Sequence, residues 1–172
     1  MPLFTIAAGL LVAGLLFLFF IPLGRGAIFY PSSAEKCLLL AELSDAGPGK
    51  RAADLGAGDG RVVIALARRG AEAHGFEINP LLVLLARWNV RRAGLTGKAF
   101  IHCASFWRAD LSAFDSLTLF QGSTVMRHLE AKVQRELAPG ARVVSDCWGF
   151  PTLVPERMCG TVFCYRMGSF AE

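Results

Sequence analysis

A short apolar run that ends on a carboxylate and passes straight into alternate glycines, Asp54-Leu55-Gly56-Ala57-Gly58-Asp59-Gly60, constrains this chain more than any other stretch. Residues 51–55 read as a strand, and glycine at every second position beyond it lets the backbone turn tightly and approach a ligand that a Cβ would push away. A dinucleotide fingerprint would place its third glycine at position 61, where Arg61 stands, and a phosphate-binding loop would need Gly-Lys-Ser/Thr, which does not follow. The pattern continues with a helix over 61–69, a strand over 71–77 ending on Glu77, and a helix over 80–93. Asn79-Pro80 supplies the cap and first residue of that second helix, and Gly94 stops it just after Arg91 and Arg92, whose charges suit its C-terminal end. A carboxylate at Glu77 can accept from both hydroxyls of a ribose, and Asp54 can bond the loop amides or the amino group of an amino-acid moiety. Together these residues describe a site for a nucleoside cofactor that carries an amino acid; the bland alternative is a tight strand-to-helix turn with Glu77 on the surface.

Strands are also expected over 98–103, 116–120, 141–146 and 161–167, with a helix over 124–137 closing against Pro139-Gly140. Such alternation requires a Rossmann-like, doubly wound, mainly parallel α/β sheet covered by helices, with ligands at the carboxyl ends of the strands. Ahead of it, residues 3–23 carry no ionisable side chain and, as a helix, reach about 30 Å, the thickness of a bilayer's hydrocarbon core. This reads as an N-terminal transmembrane helix; a cleaved leader or a helix packed on the domain are the alternatives, and the leader lacks its usual basic start. Arg25 and the basic residues beyond it place the following domain on the cytoplasmic side. The absence of an Arg-rich transit peptide tilts the location toward a bacterial inner membrane, reached by a single pass. The expected divisions are an anchor over 1–24, a leading loop and helix over 25–49, in which Pro31 precedes a serine-capped helix running to about Leu43, and the main domain over 50–172.

Five cysteines, Cys37, Cys103, Cys147, Cys159 and Cys164, form no C-x-x-C pair and no zinc-ligand spacing, so free thiols in a reducing compartment are expected. Between positions 61 and 98, seven basic residues face only Glu72 and Glu77. That cluster reads as solvated helix faces beside a headgroup surface, with a substrate-steering or nucleic-acid patch as the minority reading. His74, His102 and His128 read as isolated structural histidines, and Trp88, Trp107 and Trp148 as core.

The sequence resembles the class I S-adenosylmethionine methyltransferases, and more narrowly the small membrane-associated lysine methyltransferases that act on the ATP synthase c-subunit and the adenine nucleotide translocase. The resemblance rests on Tyr30-Pro31-Ser32, the 54–61 loop, Gly75-Phe76-Glu77-Ile78-Asn79-Pro80, Arg91-Arg92-Ala93-Gly94-Leu95, the Trp107-Arg108-Ala109-Asp110 run, and Leu129-Glu130 through Gly140-Ala141-Arg142-Val143. It implies S-adenosylmethionine as cofactor, held by Asp54, Gly56, Ala57, Gly58, Gly60, Glu77, Ile78, Asn79, Ser105 and Phe106. It also implies a membrane-protein lysine as acceptor, with Tyr30, Ser32 and Gln121 as the wall around the amine, and argues against nucleic acid. Two departures stand out. Ser105 occupies the place where the family carries an acidic residue, and Phe120-Gln121-Gly122-Ser123 replaces the family's Gly-x-Pro-Gln loop. A small or lipid-like acceptor, or a non-catalytic membrane module of the same fold, are the competing readings.

Overall fold

The computed structural model describes residues 5–10, 14 and 30–168. Its strands are β1 (Arg51–Leu55), β2 (Glu72–Glu77), β3 (Ala99–Cys103), β4 (Ser116–Leu119), β5 (Arg142–Asp146), β6 (Arg157–Cys159) and β7 (Val162–Arg166). They form one sheet in the order β3-β2-β1-β4-β5-β7-β6. The five strands from β3 to β5 pair in parallel, while β7 runs antiparallel between β5 and β6. The order reverses at β1 and β4, so their carboxyl ends form the crevice where doubly wound sheets bind ligands. The mainly parallel architecture is the expected one; the short β6, whose side chains carry little apolar signal, was not legible in the sequence.

Helices α1 (Ala34–Leu43), α2 (Arg61–Arg68), α3 (Pro80–Arg92) and α4 (Ser123–Glu136) follow the expected positions to within a residue or two. One core lies under α1, α2 and α3, where Leu40, Val63, Leu66, Val83 and Ala86 pack on Ala52, Ala73 and Val144. The opposite core packs Met126, Leu129 and Val133 of α4 on Leu55, Leu117, Leu119 and Val143. Full burial of each such side chain stabilises the fold by about 1.5–3 kcal/mol. The leading helix α1 belongs to this structure, because Cys37, Leu40, Ala41 and Leu43 lie in the first core.

Between β3 and β4 the crossover is not an α-helix but two 3-10 turns, Phe106–Arg108 and Leu111–Ala113. The sheet over β2 and β3 is therefore covered by its own rings. His74 stacks on Phe100 and His102 with centroids 5.1 and 5.2 Å apart, and Phe76 stacks on His102 at 4.9 Å. Two of the three histidines expected to stand alone are in fact paired: His74 Nδ1 lies 2.9 Å from His102 Nε2, and His74 Nε2 lies 2.9 Å from Glu72 Oε1. Trp88 and Trp148, expected in the core, are 50% and 48% exposed.

Among the described residues no helix is long and apolar enough to cross a membrane. Residues 5–10 and 14 are helical; the rest of the span expected over 1–24 lies outside the described residues.

Gly75 decides how closely the glycine turn approaches β2. A Cβ there would stand 2.7 Å from both Ala57 Cβ and Val63 Cγ2. Gly75→Ala should lower stability by about 1–3 kcal/mol through overpacking, read as a lower urea midpoint; an unchanged midpoint would contradict this close approach.

Candidate functional site

The turn after β1 is held in place from three sides. Gly56 and Ala57 N–H both donate to Phe76 O, at 2.9 and 3.0 Å. The buried Glu77 carboxylate accepts from Gly58 N–H through Oε2 (2.9 Å) and from Asn79 N–H through Oε1 (2.8 Å). From α3, Asn89 Nδ2 donates to Asp59 O at 2.9 Å. Each Glu77 oxygen keeps a second acceptor site, so the residue both builds the loop and retains capacity toward a ribose.

Two of the three glycines owe their identity to the protein itself. Gly56, at φ 97°, would place a Cβ 2.5 Å from Gln121 Nε2, and Gly60, at φ 83°, would place one 3.0 Å from Ala86 Cβ. The tight turn expected at these glycines is seen in their left-handed backbone, and at Gly56 and Gly60 the space a Cβ would take is also occupied, by Gln121 and by α3.

Two buried polar side chains point to a ligand. Asp54 is buried at the end of β1, and among the described residues its hydrogen bond comes from Thr118 Oγ1 at 2.8 Å. Burial pushes its carboxyl up to about 7, and the charges of Glu77 and Asp59 push the same way against the Thr118 bond. Nearby, Gln121 is 3% exposed and donates through Nε2 to Leu55 O at 2.6 Å, while its Oε1 is buried without a hydrogen-bond partner. A buried acceptor without a donor costs free energy that a ligand N–H would recover. A cationic amine entering beside Asp54 would offset the cost of ionising that carboxylate, so the residues present fit a cofactor with an amino-acid end, while Gln121 Oε1 stays available to a second N–H donor.

The remaining expected residues divide. Ala104 N–H donates to Glu77 O at 3.0 Å, which brings half-buried Ser105 and buried Phe106 alongside Glu77 and Ile78. The Ser105 hydroxyl caps no amide of the 3-10 turn it precedes. Asn79 is committed to capping α3, its Oδ1 accepting from Leu81 N–H at 3.0 Å. Tyr30 is largely exposed and its ring lies 6.4 Å from that of Phe120, the neighbour of Gln121. Ser32 contributes its carbonyl, which accepts from Arg61 Nη1 at 2.6 Å, whereas the capping hydroxyl at α1 belongs to Ser33.

Three positioning groups escaped the sequence reading. Arg61 chelates the Asp59 carboxylate through Nε and Nη2 and reaches Ser32 O, tying the leading loop to the glycine turn. Lys36 Nζ donates to Asp146 Oδ1 and Thr161 Oγ1, both at 2.9 Å, fixing α1 on the end of β5. Glu130 Oε1 accepts from Thr152 N–H, Thr152 Oγ1–H and Leu153 N–H, holding the loop beyond β5. The spacing of Asp59 and Arg61 across one left-handed glycine was the available signal for the first; the others are long-range pairs with none.

With that geometry in hand, the chain matches the family model of the ANTKMT methyltransferase domain over residues 54–157. It is 36% identical over 121 residues to the human lysine N-methyltransferase of the ATP synthase c-subunit, covering 68% of this chain and 52% of that protein. It is 37% identical over 141 residues to the mouse adenine nucleotide translocase lysine N-methyltransferase, covering 81% and 61%. The chain thus spans about half to three fifths of the length of these relatives. Among solved structures it resembles an RNA methyltransferase from Salinibacter ruber in complex with S-adenosyl-L-homocysteine, with 30% identity, a TM-score of 0.79, and coverage of 83% of this chain and 97% of that one.

The Asp54 environment carries a pH signature. Its folded pKa of about 7 lies above the unfolded value, so the cost of ionising it is absent below about pH 4, grows as pH rises toward 7, and is complete above. Asp54→Asn should therefore stabilise the ligand-free protein by on the order of 2–4 kcal/mol near pH 8 and hardly at all near pH 4. Urea unfolding at the two pH values checks this; equal shifts at both would contradict a buried, unpaired carboxylate.

Proposed function

We propose that this chain, which belongs to the ANTKMT methyltransferase domain family, is an S-adenosylmethionine-dependent methyltransferase that methylates the ε-amine of a lysine in a membrane protein. The observation that carries the cofactor reading is the Asp54 carboxylate buried at the carboxyl end of β1, whose hydrogen bond among the described residues comes from Thr118 and whose pKa burial raises to about 7. The lysine reading is supported by relatives named as lysine N-methyltransferases of the ATP synthase c-subunit and the adenine nucleotide translocase.

Asp54 receives the ammonium of the cofactor's amino-acid end, and Glu77 receives the ribose hydroxyls while it continues to hold Gly58. Ser105 and Phe106, brought to Glu77 through Ala104, line the base. When bound, the cofactor supplies an electrophilic methyl group on a sulfonium, and displacement from it needs positioning and a dry site more than covalent help. The chain's own task is to present a neutral amine. A lysine entering between the Tyr30–Ser32 loop and Gln121 leaves water, which favours its neutral form. Gln121 Oε1 accepts one of its N–H bonds, leaving the lone pair to face the methyl group. Tyr30, whose ring tilts against that of Phe120, forms the outer wall.

The apolar segment over 3–23 anchors the chain by a single pass in a bacterial inner membrane, with the domain over 50–172 on the cytoplasmic side. Its lack of ionisable residues and the basic flank at Arg25 support this reading. The anchor keeps the enzyme beside acceptors that share its membrane.

Incubating the full chain with methyl-labelled cofactor and detergent-extracted membranes should place label on protein lysines, located by mass spectrometry. Label entering the organic phase would favour a lipid-like acceptor, label entering RNA would overturn the lysine assignment, and no label with a folded, cofactor-binding chain would favour a non-catalytic module. Glu77→Ala should weaken cofactor binding by about 1.5–3 kcal/mol, whereas Gln121→Ala should reduce turnover more than cofactor affinity. Equal losses of both quantities in Gln121→Ala would move that residue out of the acceptor wall.

A further inference from the structure

Helix α3 is apolar on two sides, and only one of them is used by the fold. Leu82, Val83, Ala86 and Val90 are buried. On the other side Leu84 is 62% exposed and Trp88 50%, with Leu81 and Leu85 half-buried beside them. At the helical period these four positions form one stripe, flanked by Arg87 and Arg91 along one edge and continued by Arg92 at its C-terminal end. The helix contains no acidic residue. Arg92 lies over the Trp88 ring, 4.5 Å from its centroid, while Arg87 turns inward and donates to Ile101 O. Exposed Arg91, Arg92 and, just beyond the helix, Lys98 supply the outward charge.

We infer that the outer face of α3 is a membrane-contact surface that lies on anionic lipid headgroups. Leucine and tryptophan sink to the boundary between headgroup and acyl chain, and arginines at the rim meet phosphate, which is the composition of an interfacial helix. With no carboxylate on the helix to oppose them, Arg91 and Arg92 make its C-terminal end complementary to an anionic surface. This inference rests on the reading that the chain works at a membrane, to which the segment without ionisable residues over 3–23 and the exposed Ile6 and Leu10 also point. It adds an orientation to that reading. Helix α3 begins at Pro80, and its cap Asn79 lies two residues from Glu77, so seating it on the headgroups brings the cofactor edge of the sheet down to the depth of membrane-surface lysines.

The test uses the full chain with vesicles of phosphatidylcholine alone or mixed with phosphatidylglycerol, the lipids carrying brominated acyl chains that quench nearby tryptophan. Wild type should lose at least twice as much emission as Trp88→Phe in the anionic vesicles, and that difference should shrink at high salt. An Arg91→Ser/Arg92→Ser variant should lose the dependence on anionic lipid while still binding S-adenosyl-L-homocysteine. Equal quenching of wild type and Trp88→Phe in anionic vesicles would overturn the inference. Flotation with the neutral vesicles reads the anchor separately: a chain that fails to float there contradicts the single-pass reading alone, since Trp88 reports α3 directly.

Discussion

A carboxylate that meets no cation among the described residues, buried at the end of the central strand, is the constraint around which this molecule is arranged. Asp54 sits where β1 meets the switch in strand order, with Thr118 from β4 as its hydrogen-bond donor. Water is excluded by the strands on either side and by the turn that follows, and that exclusion raises its pKa to about 7. A site that disfavours its own charge is poised to accept a positive ligand, because an incoming ammonium relieves the cost that folding imposes.

The same turn connects the cofactor edge to the acceptor edge. Glu77 fixes Gly58 from the side of β2, and Arg61 joins Asp59 to the carbonyl of Ser32. The leading loop is thus fastened to the glycine turn at one end, and through Lys36 to Asp146 on β5 at the other. Gln121 completes the crevice from β4, close enough to Gly56 that a side chain there could not be accommodated. Anything that changes the turn is felt by the wall expected to hold the acceptor amine.

Much of this was legible in sequence. Period and punctuation located β1 to β5, β7 and helices α1 to α4, since Asn79-Pro80 and Gly94 mark boundaries by local chemistry. The 3-10 crossover was not, because the Trp107 run is held by contacts such as Lys132 to Ala109 O and Glu136 to Leu111 N–H, which no local pattern encodes. Asp54, Glu77 and Gln121 were singled out, as was the tight turn at the glycines; what could not be read was that Gly56 and Gly60 also clear space for Gln121 and Ala86, partners 65 and 26 positions away along the chain. The histidine pair was likewise invisible, since it depends on a pairing of β2 with β3 that brings together residues 28 positions apart.

The most direct test of the account is calorimetric titration of the full chain with S-adenosyl-L-homocysteine near pH 7, in buffers of different ionisation enthalpy. Asp54 is partly protonated there, so ammonium binding should expel protons, about half an equivalent, and the release should vanish in Asp54→Asn. Binding by wild type without proton release, or no binding by a folded chain, would contradict the claim that the buried carboxylate is the cofactor's anchor.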